Sequence, residues 1–370
     1  MENIKALVVD DTIVYRKIVG DVLKEIPGVE VVGSANNGKI ALSKIRSLQP
    51  DLITLDIEMP ELNGIEVLQE LKKLPKPPIV IMLSTLTQQG SEMTIKALEL
   101  GAFDFIAKPD DGKMADNMQK VKDAILPIIN ILKRRKETSL KIRNKAVTAN
   151  KKPAQFSETA PKDTPPHQPV HPKNAIRAKA EVIGIGISTG GPNALTKMIP
   201  MLPADLKATV LIVQHMPPLF TASLANSLNN KSALEVKEAQ DGDIIEPGKI
   251  LIAPGGKQMK IVAAADGITR KIKITDDPPE NSCKPSADYL FRSIAQHYVG
   301  RSTGVIMTGM GSDGSKGLVQ MKNNGSFIIA QNEETCTVYG MPKEPVESGI
   351  ADIVVPLESI ADEIIKTVIS

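Results

Sequence analysis

Cysteine occurs only twice in this chain of 370 residues, as Cys283 and Cys336. With no Cys-x-x-Cys and no clustered histidines, neither a disulfide framework nor a zinc site is suggested, and both thiols read as plain small residues in a reducing compartment. Tryptophan is absent and aromatic residues make up 3% of the chain, which, with no obvious apolar lid, disfavours a general lipase. No uninterrupted apolar run approaches the roughly 18 residues of a membrane span. The start, Met1-Glu-Asn, lacks the basic-then-apolar form of a signal peptide. These absences predict a cytoplasmic protein with no membrane insertion. What remains is sufficient for folding: 42% apolar residues support proper cores, excluding disorder throughout, and the length predicts two or three domains.

The net charge of +2 conceals an uneven distribution. Residues 133–180 carry 13 Lys or Arg against 3 Asp or Glu, a net of +10 that leaves −8 for the rest. Such a tract could hold nucleic acid or an anionic membrane surface. Its scarcity of aromatic residues argues instead for a solvated linker. Six prolines and no sustained apolar period over residues 133–179 predict a segment that cannot bury enough surface to fold. The chain therefore divides into a first domain over 1–125, a helix extension and disordered basic linker over 126–179, and a second domain over 180–370.

The first domain alternates short apolar runs with helical patterns. Strands are expected at Ile4–Val9, Val29–Ala35, Leu52–Leu55, Ile79–Leu83 and Phe103–Ala107, giving five βα units around a parallel sheet, a flavodoxin-like (βα)5 fold. Its last helix begins near Met114, and Pro127 is expected to kink or break it. The first strand ends in Asp10-Asp11 and the third run ends in Asp56, so three carboxylates reach one sheet edge. Mg²⁺ prefers oxygen ligands and keeps several waters, which suits such a half-cage. Asp56 could then attack a phosphoryl donor, with the Lys108 ammonium offsetting charge on the transferred oxygens. Ser84 could donate its hydroxyl to the new phosphate.

Asp10, Asp11, Asp56, Met59-Pro60, Gly64, Ser84, Gly101-Ala102, Phe105 and Lys108-Pro109 follow the order of the bacterial response-regulator receiver family, which the chain resembles over about residues 1–125. The resemblance implies Asp56 as phospho-acceptor, Asp10 and Asp11 as metal ligands, Ser84 and Phe105 as a switch pair, and Lys108 as phosphate contact. Asn63 and Thr12 depart from the common family residues without touching this chemistry.

A second core opens at Val182–Ile187. Further strands are expected at Val210–Val213, Ile250–Ile252, Val305–Met307, Phe327–Ala330 and Ile353–Val355, with helices at Leu219–Leu228, Ala287–Tyr298, Lys316–Asn323 and Ile360–Ile369. This is a doubly wound α/β unit with a mainly parallel sheet. The alternating Lys271–Thr275 reads as a half-exposed strand in an antiparallel edge or hairpin.

Gly186-Ile-Ser188-Thr-Gly190-Gly191 places a serine at a strand-to-helix turn, and three readings compete. A dinucleotide cradle is poorly supported, because the glycines miss GxGxxG spacing and no acid ends the second strand. A nucleophile elbow would recruit His297 as base, but one strand precedes the serine and His297 lies inside a helical pattern. The third reading gathers strand ends: His215 follows Val210–Gln214 and Asp313 follows Val305–Met307. Serine, histidine and aspartate then share the carboxyl edge of one sheet as nucleophile, base and orienter, with glycines around Met310 exposing backbone N–H groups to an oxyanion. A histidine after a strand can equally be a hydrogen-bonded structural residue, so the residues alone leave this open.

The segments Ile187-Ser-Thr-Gly-Gly191, Gln214-His-Met-Pro-Pro218, Glu238-Ala-x-Asp-Gly242, Ile252-Ala-Pro-Gly255, Lys284-Pro-Ser-Ala-Asp288, Thr308-Gly-Met-Gly-x-Asp-Gly314, Ala330-Gln-Asn332 and Tyr339-Gly-Met-Pro342 resemble the methylesterase domain of the chemotaxis CheB family over about residues 180–369. That resemblance implies a Ser188, His215, Asp313 triad lined by Thr189 and Met310. It further implies hydrolysis of methylated glutamates, and deamidation of certain glutamines, on the cytoplasmic helices of chemoreceptors. A chemotaxis histidine kinase would be the phosphodonor, Mg²⁺ would serve the receiver, and the hydrolase would need no cofactor. No nucleic-acid partner is expected, since no helix-turn-helix follows the linker and the second domain is not basic. The expected regulation is a receiver that covers the Ser188 cleft until Asp56 is phosphorylated.

Overall fold

A computed structural model describes residues 3–109, 113–149 and 178–369. In the first domain, β1 (Ile4–Val9), β2 (Val29–Ala35), β3 (Leu52–Asp56), β4 (Ile79–Ser84) and β5 (Asp104–Ala107) alternate with α1 (Ile13–Glu25), α2 (Gly38–Leu48), α3 (Gly64–Leu71), α4 (Gln88–Glu99) and α5 (Met114–Ala149). The sheet order is β2-β1-β3-β4-β5, all parallel. β3 is buried along its whole length, as a central strand covered on both faces must be. The strand order reverses between β1 and β3, and the crevice outside their carboxyl ends receives Asp10, Asp11 and Asp56. Asn63, standing where the related family commonly has aspartate, closes a capping box with Glu66 that starts α3.

α5 corrects two expectations. It runs 36 residues with Pro127 inside it, so the ring removes one N–H from the ladder without ending the helix. Its first half packs on the sheet through the buried Val121, Ile125, Ile128, Ile129 and Leu132, and that packing outweighs the cost of the proline. Residues 133–149, expected to be unable to fold, are helical. They are rich in Lys and Arg, which favour helix, and include no Pro or Gly; extending an existing helix needs no new nucleus. The rest of the expected linker, 150–177, lies outside the described residues.

The second domain has a seven-stranded sheet ordered β14-β13-β12-β6-β7-β9-β8. Its strands are β6 (Val182–Ile187), β7 (Thr209–Gln214), β8 (Glu235–Glu238), β9 (Lys249–Ile252), β12 (Ser302–Ile306), β13 (Phe327–Gln331) and β14 (Ile353–Val355). Every pairing is parallel. The alternating Lys271–Thr275 does form a hairpin, as β10 (Gln258–Ala263) with β11 (Arg270–Thr275), but in a separate two-stranded sheet rather than at the edge of the main one. Helices α6 (Gly191–Met198), α7 (Phe220–Asn229), α8 (Ala287–His297), α9 (Ser315–Asn323), α10 (Lys343–Glu347) and α11 (Leu357–Ile369) complete the domain. Strand β6 lies between β7 and β12, so the chain leaves it in opposite directions and a crevice opens at its carboxyl end. Among the described residues, no helix is long and apolar enough to cross a membrane.

Candidate phosphoacceptor and active sites

In the first domain the ligand oxygens of Asp10, Asp11 and Asp56 lie within 4.8 Å of one another. Lys108 Nζ stands 2.8 Å from Asp10 Oδ2 and 2.8 Å from Asp56 Oδ2. Beyond this ion pair with Lys108, the buried Asp10 Oδ2 has no hydrogen-bond partner among the described residues. Burial pushes the Asp56 carboxyl up to about 6, against the opposing pull of Lys108. Burial also works to lower Lys108, but the Asp56 and Asp10 charges outweigh it and the ammonium is held above its usual range. Three carboxylates with their oxygens gathered this closely fit a small hard cation.

Ser84 does not face Asp56 through a hydrogen bond. Its Oγ lies 2.7 Å from Thr94 Oγ1 and 3.2 Å from the Gly90 carbonyl oxygen, both on α4.

In the second domain, Ser188 follows β6 and His215 follows β7, and the register pairs Ile187 with Gln214 immediately before them. Tight backbone approach holds this turn. Gly190 has φ +79°, and a Cβ there would meet Thr337 at 2.3 Å. A Cβ on Gly309 would meet Ser188 Cβ at 2.8 Å, so the glycine lets the loop after β12 pass directly behind the serine.

His215 Nε2 lies 2.8 Å from Asp313 Oδ2. Asp313 is fixed in turn by the start of α8: Ser286 Oγ donates to it at 2.7 Å, Ala287 N at 2.6 Å and Asp288 N at 3.2 Å, and Asn281 Nδ2 adds a fourth donor at 3.1 Å. A carboxylate at a helix N-terminus meets unpaired N–H groups and the positive end of the helix dipole. Burial works to raise Asp313, but its bond to His215 and the charge there outweigh it, and the carboxyl is held below its usual range. For His215, burial works to lower the imidazole, yet the bonds from Asp313 and Cys283 prevail and push it up to about 9. The other ring nitrogen, Nδ1, faces Cys283 Sγ at 3.7 Å. Among the described residues no hydrogen bond joins Ser188 Oγ to His215, and the backbone N–H groups of Thr189 and Met310 donate to nothing.

The receiver lies across this edge. A cleft of about 380 Å³ is lined by Ser188, Thr189, His215 and Met310 from one side and by Asp104, Phe105 and Pro127 from the other. Thr189 Oγ1 donates to Asp104 Oδ2 at 2.9 Å. Burial at this contact pushes Asp104 up to about 6. The Phe105 and Phe220 rings stack with centroids 4.5 Å apart. Ser91 on α4 meets Ser223 on α7 at 2.6 Å, and Glu99 accepts from both Ser227 and Lys231. One buried apolar cluster runs through both domains, and Met310 packs on the receiver's own cluster beside α5.

The structure thus brings together Asp10, Asp11, Asp56 and Lys108 in one pocket, and Ser188, Thr189, His215, Asp313 and Met310 at one cleft. Ser84 borders the acidic pocket, its carbonyl accepting from Lys108 N at 2.7 Å, but its hydroxyl turns to α4, and Phe105 lies at the interface. His297 ends α8 and has no part in the cleft. Asp104 and Asn281 escaped the sequence reading, Ser286 entered it only within a quoted motif, and Cys283, expected to be a plain small residue, instead stands at His215. Only Ser286 carried a signal, as an N-cap serine before a helical pattern.

The CheB methylesterase family model matches residues 183–364, and the response regulator receiver domain model matches residues 6–119. A protein-glutamate methylesterase/protein-glutamine glutaminase of Desulfotalea psychrophila is 54% identical, covering 100% of this chain and 99% of the relative. One of the same name from Bacillus subtilis is 41% identical over 99% of this chain and 98% of its own length. The crystal structure of the Thermotoga maritima CheB methylesterase catalytic domain is 40% identical, covers 51% of this chain and 99% of that one, and superposes with a TM-score of 0.49. With full-length relatives at this identity and both domain models matched in order, the chain belongs to the CheB methylesterase family, carrying a response-regulator receiver ahead of its catalytic domain.

Proposed function

We propose that this chain hydrolyses glutamate methyl esters, and deamidates certain glutamines, on the cytoplasmic parts of chemoreceptors, under control of phosphorylation at Asp56. The reading divides it into a receiver over 1–125, a connector over 126–179 and a catalytic domain over 180–370. The observation that carries it is the His215–Asp313 pair beside Ser188, with two unused N–H groups, of Thr189 and Met310, at the same cleft.

Ser188 Oγ attacks the ester or amide carbonyl, and its proton passes to His215 Nδ1, the nitrogen that Asp313 leaves free. The Thr189 and Met310 N–H groups stabilise the developing oxyanion. His215 then returns the proton to the leaving group, releasing methanol or ammonia, and water hydrolyses the acyl-serine by the reverse use of the same groups. Ester and amide share the tetrahedral intermediate, so one site serves both. In the resting chain Nδ1 points to Cys283 and the ring is not bonded to the serine, so a turn of the imidazole precedes attack. Catalytic hydrogen bonds often tighten only with substrate bound.

In the receiver, Asp10, Asp11 and Asp56 would hold Mg²⁺, which supplies charge neutralisation for phosphoryl transfer. Lys108 adds its ammonium. A chemotaxis histidine kinase is the phosphodonor, and the whole cycle runs in the cytoplasm. Phosphorylation draws Ser84 away from Gly90 and Thr94, shifting α4 and Phe105 and loosening the interface with α7.

The test is methanol release from methyl-labelled chemoreceptor membranes by the full chain, with Ser188→Ala alongside. The expected result is release in the parent and a loss of at least ~10³-fold in the variant. Equal release from both would remove Ser188 from the mechanism.

A further inference from the structure

Cys283 is held on a tight turn. Its N–H donates to the Glu280 carbonyl at 2.7 Å and its carbonyl accepts from Glu280 N at 3.1 Å. This turn carries the thiol to 3.7 Å from His215 Nδ1, and the residue remains partly exposed. In tetrahedral coordination, a thiolate sulfur at about 2.3 Å and an imidazole nitrogen at about 2.0–2.1 Å from a zinc-class ion stand roughly 3.5–3.6 Å apart. Cys283 and His215 therefore need almost no movement to share one ion. The opposite ring nitrogen is bonded to Asp313 at 2.8 Å, reproducing the carboxylate–histidine–metal order that fixes the tautomer and raises ligand basicity. Asp313 itself is not free to ligate, since Ser286, Asn281 and two backbone amides already donate to it. The Asn281 carbonyl oxygen, 3.5 Å from Sγ, offers a third donor.

We propose that Cys283 Sγ and His215 Nδ1 form a binding site for a soft divalent cation of the zinc class, and that its occupancy switches the hydrolase off. Binding takes up the cation as the thiol and the imidazole give up their protons to solvent. The cation then occupies the lone pair of Nδ1, the only ring nitrogen able to accept the Ser188 proton. The inhibitory half of this inference rests on the hydrolase reading above; the binding half does not.

The full chain is titrated with Cd²⁺, following the thiolate-to-metal charge-transfer absorbance, and methanol release is measured with and without Zn²⁺, each variant normalised to its own metal-free rate. One thiolate-bound Cd²⁺ per chain is expected, kept in Cys336→Ser and lost in Cys283→Ser. Zn²⁺ should suppress methanol release at least tenfold in the parent, chelation should restore it, and Cys283→Ser should be insensitive. No charge-transfer band, or a band that survives in Cys283→Ser, overturns the site. Inhibition of equal depth in parent and Cys283→Ser overturns the switch. A Cys283-dependent band in a chain that releases no methanol even without metal would uphold the site and defeat the hydrolase reading instead.

Discussion

At the scale of single residues, two ionisable groups at the interface set pH behaviour in the same direction, over two different windows. His215 is pushed up to about 9, above its ordinary value of about 6.5. A raised histidine contributes stability that is fully present below about 6.5 and is lost as pH rises through about 9. The base form grows over the same window, so methanol release should climb with pH toward about 9 while the thermal midpoint falls. A rate profile already flat from pH 7 upward would refute the assignment of His215 as the limiting base. Asp104 is pushed up to about 6 by burial against Thr189, so the docked receiver binds that proton more tightly than the released one and docking strengthens as pH falls through about 6. Near pH 7 the ionised carboxylate opposes docking. Asp104→Asn keeps an acceptor for the Thr189 hydroxyl and removes the charge. The unphosphorylated chain should therefore lose roughly tenfold in rate at pH 7.5, about the equivalent of one pKa unit, with little change once phosphorylated. A higher basal rate in this variant would show that the ionised form holds the interface.

At the scale of elements, the proposed coupling runs from Asp56 through β4 and α4 into α7. Ser84 closes β4 and is bonded into α4, and Ser91 on the same helix meets Ser223 of α7. Phe105 on β5 stacks on Phe220 at the start of α7. An aromatic pair contributes about 0.5–1.5 kcal/mol beyond its buried area, so Phe105→Ala should raise the unphosphorylated methylesterase rate roughly 2- to 10-fold and shrink the gain on phosphorylation. An unchanged basal rate would place the restraint elsewhere. Elements of this kind were legible because β3, β4, β6, β7 and β1 beyond Lys5 are buried on both faces and so read as largely apolar runs. The acids and the serine that end those runs were legible for the same reason, since a strand's end fixes where its next residue points. β8 (Glu-Val-Lys-Glu) is an edge strand with one buried residue and left no such pattern. The helicity of 133–149 is hidden in its composition, because it comes from continuity with a packed helix. Asp104 and Cys283 gain their importance from residues 85 and 68 positions away, a relation that local spacing does not encode.

At the scale of the whole molecule, one apolar cluster spanning both domains makes the docked receiver part of the fold rather than a loose appendage. The catalytic edge is thereby closed by β5 and α5, with Met310 held against the receiver. Removing the phosphoacceptor should leave this state permanent: Asp56→Asn should fold with an unchanged thermal midpoint to within a few degrees and show only the basal rate at any concentration of phosphodonor. The proposed function requires a serine hydrolase whose cleft the receiver covers and phosphorylation uncovers. Its most direct test is the initial rate of methanol release from methylated chemoreceptor membranes by the full chain, before and after a small-molecule phosphodonor is added with Mg²⁺. A rise of at least tenfold that Asp56→Asn does not show is expected; an identical rate before and after, in a chain shown to carry the phosphoryl group, would mean that the receiver does not gate the cleft.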